Sequence, residues 1–340
     1  MNQNNANFPN HSLCQGENLD FLRMMNSESA DLIATDPPFN SGRNYFANPN
    51  SIAKGAYFPD KWAWSDEMRT RHLKELKEIN PKAHHYVEGV WQTLGDGALT
   101  SFLFFMSLRL VEMHRILKPT GSIYLHCDHH ASHYLKQLMD IVFRVDNFRN
   151  EIIWFYHDTP GRPKKDFPRK HDVIFRYVKG NEWTFNADAV KMPIMEASKE
   201  RYKYERELGG RRGIGGDISG KVPEDVWQIP SVKGNSKQHT GYPTQKPEAL
   251  YERIVKASSN EGDVVLDPFC GCATTLVAAE KLGRQWIGID IHPQTRTIVA
   301  NRIAEACKLN SPDGSVKVLD LEKDLNIHVF TKKDFPKRTN

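Results

Sequence analysis

"GDVVLDPFCGCATTLVAAEKLGRQWIGIDIHP", residues 262–293, is the stretch on which the fold turns. Val264–Asp267 reads as a strand that ends in an acid. The turn "DPFCGCATT" then feeds a helix predicted over Thr274–Leu282. A second strand, Trp286–Asp290, again ends in an acid, 23 residues after Asp267. Strand, glycine-bearing turn, helix, strand is the repeating pattern of an α/β fold with a parallel sheet.

The same alternation extends outward. Strands are predicted over Asp31–Thr35, Ser122–His126, Ile152–Tyr156 and Val173–Val178, and helices over Leu99–Leu117, Ala131–Phe143, Pro247–Ser258 and Gln294–Leu309. In "LKPTGSIYLH", Pro119 and Gly121 are helix-stop and turn residues ahead of a new strand. Two segments interrupt the pattern. Residues 44–97 carry aromatics and charges without a clean period. Residues 158–242 include "EASKERYKYERELGGRRGIGGDISGK", a charged helix running into a Gly/Arg-rich loop. Both read as insertions on a sheet scaffold, where specificity is commonly carried. The tail, residues 311–340, is charged from Glu322 and reads as peripheral.

A chain of 340 residues, 39% hydrophobic and 26% charged, has the composition of an ordinary globular protein. Its first residues, "MNQNNANFPNHSLCQGEN", have neither the basic start nor the apolar core of a signal peptide. No apolar run approaches the ~20 residues that span a bilayer. Five scattered cysteines (Cys14, Cys127, Cys270, Cys272, Cys307) predict free thiols in a reducing cytoplasm rather than a disulfide framework. The net charge of +4 is concentrated. Residues 155–240 hold 17 Lys and Arg against 12 Asp and Glu, while the rest of the chain holds 29 against 30. That distribution suits a lobe that contacts nucleic acid, and equally a solvated surface lobe.

Acids at strand ends beside a close-approach glycine suit a nucleoside ligand, with Gly271 admitting the backbone and Asp290 placed for ribose hydroxyls. The dinucleotide fingerprint Gly-x-Gly-x-x-Gly is absent. Asp267 and Phe269 stand where a pyrophosphate would want bare amides, which speaks against a nicotinamide-dependent oxidoreductase. An acidic turn instead suits a ligand with a cationic centre. S-adenosylmethionine, with its sulfonium, adenine and ribose, fits. Cys270 with Cys272, and the run "HCDHH" (126–130), lack matching clusters at metal-ligand spacing and read as loop and packing residues, so no metal is expected.

A second stretch, "ADLIATDPPFNSGRNYF" (30–46), is a strand ending in an acid, two prolines and an aromatic. Neither proline can extend a ladder, so the chain leaves the sheet along a stiff elbow. Here the residues carry a family resemblance. "TDPPFN" resembles the catalytic motif of DNA amino-methyltransferases, "LDPFCGCATT" their cofactor motif, and "YPTQKPEALYERIVKAS" the cofactor segment that precedes it. "CQGENLDFLRMM", "LKPTGSIYLHCDHHASHYLKQLMD" and "FRNEIIWFY" are similar to further segments in the same order. Catalytic motif first and cofactor motif late is the order of the β class, and the resemblance spans residues 12–310.

The resemblance implies a doubly wound, mostly parallel sheet of seven strands with one reversed edge strand, the Rossmann-like class I methyltransferase fold. The catalytic half (12–157) comes first and the cofactor half (243–310) last, with 158–242 as an inserted target-recognition region aided by 44–97. It implies site-specific methyl transfer from S-adenosylmethionine to the exocyclic amine of a flipped base in double-stranded DNA. Adenine N6 is favoured by the acid that opens the motif. Cytosine N4, and behind it an RNA target or a non-catalytic DNA-binding subunit, are the alternatives.

In that role the Asp36 carboxylate and the Pro37 carbonyl accept the two amine N–H groups, Pro38 stiffens the elbow, and Phe39 stacks on the base. Asp267, Phe269, Gly271, Asp290, Thr244, Gln245, Lys246 and Glu17 would contact the cofactor, together with Asp36. Lys246 would reach its carboxylate and Glu17 its adenosine. Asn40, Arg211, Arg212 and Trp154 would contact DNA, the arginines at phosphates. Ala273, where the family usually has glycine, is expected to tighten the methionine pocket. Enzymes of this class often form homodimers. With no room for a nuclease beside this scaffold, restriction activity is expected on a separate endonuclease.

Overall fold

The computed structural model describes residues 8–63, 65–157, 163–194, 220–307, 322 and 325–334. Its first half comprises β1 (Ser12–Gln15), α1 (Asn18–Met24), β2 (Ala30–Thr35), β3 (Arg43–Phe46), β4 (Tyr57–Asp60), α2 (Asp66–Ile79), α3 (Pro81–Leu94), α4 (Ala98–Ile116) and β5 (Leu117–Cys127). The second half comprises α5 (Ser132–Phe143), β6 (Phe148–Phe155), β7 (His171–Val178), β8 (Val226–Gln228), α6 (Glu248–Ser258), β9 (Val264–Asp267), α7 (Thr274–Lys281), β10 (Gln285–Asp290), α8 (Thr295–Ala306) and β11 (His328–Thr331).

Among the described residues, nine strands form one sheet in the order β11-β1-β10-β9-β2-β5-β7-β6-β8. All pair in parallel except β7, which runs antiparallel to both neighbours. The expected seven-strand sheet is present, with one strand added at each edge. The reversed strand lies inside rather than at an edge, because β7 fills the gap left between the parallel strands β5 and β6. The segment read as a peripheral tail supplies β11, whose residues His328–Thr331 pair with Ser12–Gln15.

Successive residues of a strand point to opposite faces. Ile33, Ile123, Leu125, Leu266 and Ile289 join the core formed with α1–α5. Leu32, Ala34, Tyr124, Val265 and Trp286 join the core formed with α6–α8. Burial on both faces is why the central strands read as unbroken apolar runs.

The predicted break at Pro119 and Gly121 is a bulge inside β5. Ala30 pairs with Leu117 but Leu32 with Ser122, so residues 118–121 loop out of the ladder. Proline cannot donate to a ladder, and a Cβ on Gly121 would sit 2.8 Å from the Asp31 carbonyl oxygen. Residues 44–97, read as aperiodic, contain the antiparallel hairpin β3–β4 and two helices. The Ser65 hydroxyl caps α2 at the Met68 N–H, and Asn80 caps α3 at the Ala83 N–H with Pro81 following. Leu76, Ala83 and Val87 bury these helices in the same core as α4.

From β9 the chain winds outward through α7 to β10, and from β2 it winds the other way to β5. The strand order therefore reverses between β2 and β9, and the crevice at their carboxyl ends is where such sheets bind ligands.

Candidate active site

The elbow leaves β2 at Thr35, which pairs with Leu125. Asp36 is thereby set beside His126, one residue further along β5. Oδ2 of Asp36 accepts a hydrogen bond from Lys246 Nζ at 2.7 Å. Oδ1 lies 3.7 Å from His126 Nδ1, too far for a hydrogen bond. Both atoms are buried and neither has a partner among the described residues. On its other side His126 Nε2 meets Asp172 Oδ2 at 3.1 Å, and the Tyr156 hydroxyl donates to Asp172 Oδ1 at 3.2 Å. The Phe39 ring lies 5.3 Å from the His126 ring and 4.8 Å from the Lys246 ammonium, a cation–π contact.

Burial works against the charge on Lys246, which is 7% exposed. The Asp36 and Asp172 carboxylates outweigh it and raise the ammonium above the ordinary lysine value. Burial likewise opposes the Asp172 charge, and the hydrogen bond from His126, with the Lys246 ammonium and the Tyr156 hydroxyl, overcomes it, holding that carboxyl below its ordinary value.

A cavity of about 510 Å³ opens beside the elbow at the carboxyl ends of β1, β2, β9 and β10. Its wall carries five carboxylates (Glu17, Asp36, Asp60, Asp267, Asp290) against the single ammonium of Lys246, with aromatic side chains between them. Asp290 is held by its own turn: Oδ2 accepts from Gly271 N–H at 2.9 Å and Oδ1 from His292 N–H at 2.7 Å. Burial raises its pKa.

Asp267 is almost wholly enclosed. Oδ1 accepts from the Thr35 hydroxyl at 2.7 Å and the Phe269 N–H at 3.1 Å, and Oδ2 from the Thr275 hydroxyl at 2.6 Å. Burial pushes its carboxyl up to about 7 despite those bonds. Asp267 thus ties the turn after β9 to β2. Glu17 caps α1 and pairs with Arg109, a buried guanidinium that also donates to Asn18 Oδ1 and to the Phe105 carbonyl, each at 2.7 Å.

The structure brings Glu17, Asp36, Pro37, Pro38, Phe39, Thr244, Lys246, Asp267, Phe269, Gly271 and Asp290 to this one cavity. Other expectations need correction. Gln245 does not line it: its Oε1 accepts from Thr240 N–H and hydroxyl, and its amide donates to the Gln238 carbonyl, which locks the loop. Trp154 is 3% exposed, donates to the Ile229 carbonyl and packs 5.5 Å from His126. It is a core residue behind the site and cannot meet DNA. Ala273 sits at φ 65°, in left-handed backbone, with its methyl in the core shared with α6–α8 rather than in the cavity. Asn40 also takes a positive φ of 64° and rests its N–H on Asp60 Oδ1 at 2.7 Å, at the rim of the elbow. Arg211 and Arg212 lie outside the described residues.

Sequence reasoning missed the roof and the back wall. The β3–β4 hairpin brings Tyr45 and Phe58, stacked at 4.9 Å, over the cavity, and Phe58 stacks on Tyr242 at 6.2 Å. The 44–97 insertion therefore lines one side of the cavity. His126, set aside with the rest of "HCDHH", stands against Asp36. Its signal was positional: it ends the strand adjacent to the elbow, but adjacency is a tertiary fact.

The profile of a family described as DNA methylase matches residues 30–301. Among curated relatives, the type II methyltransferase M1.MboII of Moraxella bovis is 36% identical over 285 residues, covering 81% of this chain and 89% of its own. The type II methyltransferase M.HpaI of Haemophilus parainfluenzae is 28% identical over 282 residues, covering 83% and 70%. The DNA adenine methyltransferase YhdJ of Escherichia coli K12 is 28% identical over 284 residues, covering 83% and 79%.

Proposed function

This chain belongs to the DNA methylase family, and on that premise we propose that it transfers a methyl group from S-adenosylmethionine to the exocyclic amine of a base flipped out of double-stranded DNA, adenine N6 ahead of cytosine N4. The observation that carries the reading is Asp36, a carboxylate on a Pro-Pro elbow at the mouth of an acid-rich, aromatic cavity, with Phe39 beside it. The acid that opens the motif, and a relative that is by name an adenine enzyme, support adenine.

The cavity suits the cofactor by its donor set. Acidic side chains, with one ammonium against them, favour a cationic centre and disfavour phosphate, aromatic faces suit an adenine, and the volume lies in the range of ordinary ligand sites. Asp290 and the Gly271 turn would hold the ribose, Glu17 the adenosine end, and Lys246 and Thr244 the amino-acid end. S-adenosylmethionine, when bound, supplies an electrophilic methyl on a sulfonium.

The exocyclic amine is a poor nucleophile because its lone pair is delocalised into the ring. Asp36 and the Pro37 carbonyl would accept its two N–H groups, turn the nitrogen toward tetrahedral geometry and stabilise the positive charge that develops there. Phe39 would stack on the extruded base. The Lys246 ammonium neutralises Asp36 and holds its Oδ2 in place. Residues 158–242, with Arg211 and Arg212, would read the duplex, and a companion restriction endonuclease would be a separate chain.

The test is methylation-aware sequencing of DNA from cells expressing the protein, beside Asp36→Ala. The expected result is one modified base in one short motif, absent from the variant, which still binds the cofactor by titration. N4-methylcytosine would overturn the adenine assignment alone. Labelled methyl entering RNA and not duplex DNA would overturn the substrate.

A further inference from the structure

Asp36 Oδ1 and His126 Nδ1 are both buried, both without a hydrogen-bond partner among the described residues, and 3.7 Å apart. The other imidazole nitrogen, Nε2, lies 3.1 Å from Asp172 Oδ2. An ionised carboxylate only accepts, so Nε2 carries a proton. The neutral ring then turns a bare lone pair at Nδ1 toward the lone pairs of Oδ1. Two facing acceptors stand apart, and one proton between them would join them. The ring is 1% exposed, closed in by Phe39 and Trp154, and Asp36 is the group that faces its bare nitrogen.

Resting on the functional reading above, we propose that His126, oriented by Asp172, is a positioning residue that takes up, through Asp36, the proton the target amine sheds. The amine nitrogen bonds to the incoming methyl carbon as that carbon's bond to sulfur breaks, and sulfur keeps the electron pair. One N–H bond then breaks, its electron pair returning to nitrogen and its proton passing to Asp36 Oδ2, since Oδ1 is sealed. A neutral carboxyl no longer holds Lys246. It turns about Cβ–Cγ, a soft twofold torsion, and hands the proton to His126 Nδ1. The imidazolium loses it to solvent when the site reopens.

The charged and titratable groups about His126 are Asp36 from the elbow and Asp172 from β7, with Lys246 from the loop before α6 on Asp36 and Tyr156 beyond β6 on Asp172. Asp172 and Asp36 stand at opposite nitrogens of the ring, at 3.1 and 3.7 Å.

The test is single-turnover methylation of unmodified plasmid DNA with a labelled methyl donor across pH, alongside calorimetric titration of the donor. His126→Ala should bind the donor as the wild type does and react at least ~100-fold more slowly near neutral pH, the lower end of what general acid–base catalysis supplies. Added imidazoles should restore the rate in order of their basicity. Asp172→Asn removes the carboxylate that orients the ring at Nε2, so the acidic limb of the rate profile should move from its wild-type position. That variant carries the test if His126→Ala fails to fold.

A wild-type rate in His126→Ala, or a loss that imidazoles do not relieve with an unmoved limb in Asp172→Asn, would overturn the inference and leave the functional reading standing. A wild-type chain that binds the donor yet methylates no duplex would overturn the functional reading, and the inference with it.

Discussion

Asp267→Asn should make the folded protein less sensitive to alkali, and the size of the change follows from the burial of one carboxyl. Asp267 is 3% exposed and its pKa is pushed up from 3.8 to about 7. A carboxyl whose pKa is higher folded than unfolded favours the fold most where it is protonated. Its contribution is complete below pH 3.8 and is lost as the pH rises through about 7. Between pH 5 and pH 8 that linkage removes roughly 2.5 kcal/mol from the wild type, at about 1.36 kcal/mol per unit of pKa difference. Asparagine cannot ionise, so the stability of the variant relative to wild type should rise by that amount over the same interval.

The site can accept the amide. Its oxygen would keep the bonds from Thr35 and Phe269 N–H, while the Thr275 hydroxyl, already 3.3 Å from the Ala34 carbonyl, can donate there and accept from the new NH₂. Urea unfolding of both proteins at pH 5, 6, 7 and 8, without ligand, measures the difference. A difference independent of pH would show that Asp267 is ionised throughout, and the account of the turn after β9 as a buried, neutral tie would fail.

Three further outcomes follow from single contacts. Lys246→Met leaves Asp36 without its counter-charge. As Asp36 is one-fifth exposed, the expected loss is about 2 kcal/mol, below the ~3–5 typical of a fully buried pair, read by chemical denaturation. Arg109→Ala unties Glu17, Asn18 and the Phe105 carbonyl at once, and should cost roughly 3–5 kcal/mol and weaken cofactor binding measured by calorimetry. Ala273→Gly relieves a left-handed alanine, worth about 1 kcal/mol, and loses a buried methyl worth about 0.8 kcal/mol. Stability should therefore stay within ~1 kcal/mol of wild type, with cofactor affinity unchanged, because the methyl faces the core.

The helices and strands of the sheet were legible wherever a strong apolar period coincided with burial: β2, β7, β9, β10 and α4–α8 fall within a few residues of expectation. The misses share a cause. Strands β1, β8 and β11 are three or four residues long, too short for a period to emerge, and exist because a neighbouring ladder was there to extend. In α2 the wet face carries long charged side chains that mask its buried Leu76. Pro119 and Gly121 were read as a break in the chain, whereas they break only the register of one strand.

Local chemistry, a carboxylate on two prolines and an acidic glycine turn occurring in one chain, singled out residues 36–39 and 267–271 as candidates from the sequence alone, and the fold brings residues of both stretches to one cavity. Which groups surround them was decided by the sheet. Parallel pairing puts β5 beside β2, and so His126 against Asp36, across 90 positions of sequence. The fold of the loop before α6 lays Lys246 on the same carboxylate from 210 positions away. The strength of those interactions depends on exclusion of water, which packing alone confers and no stretch of sequence records.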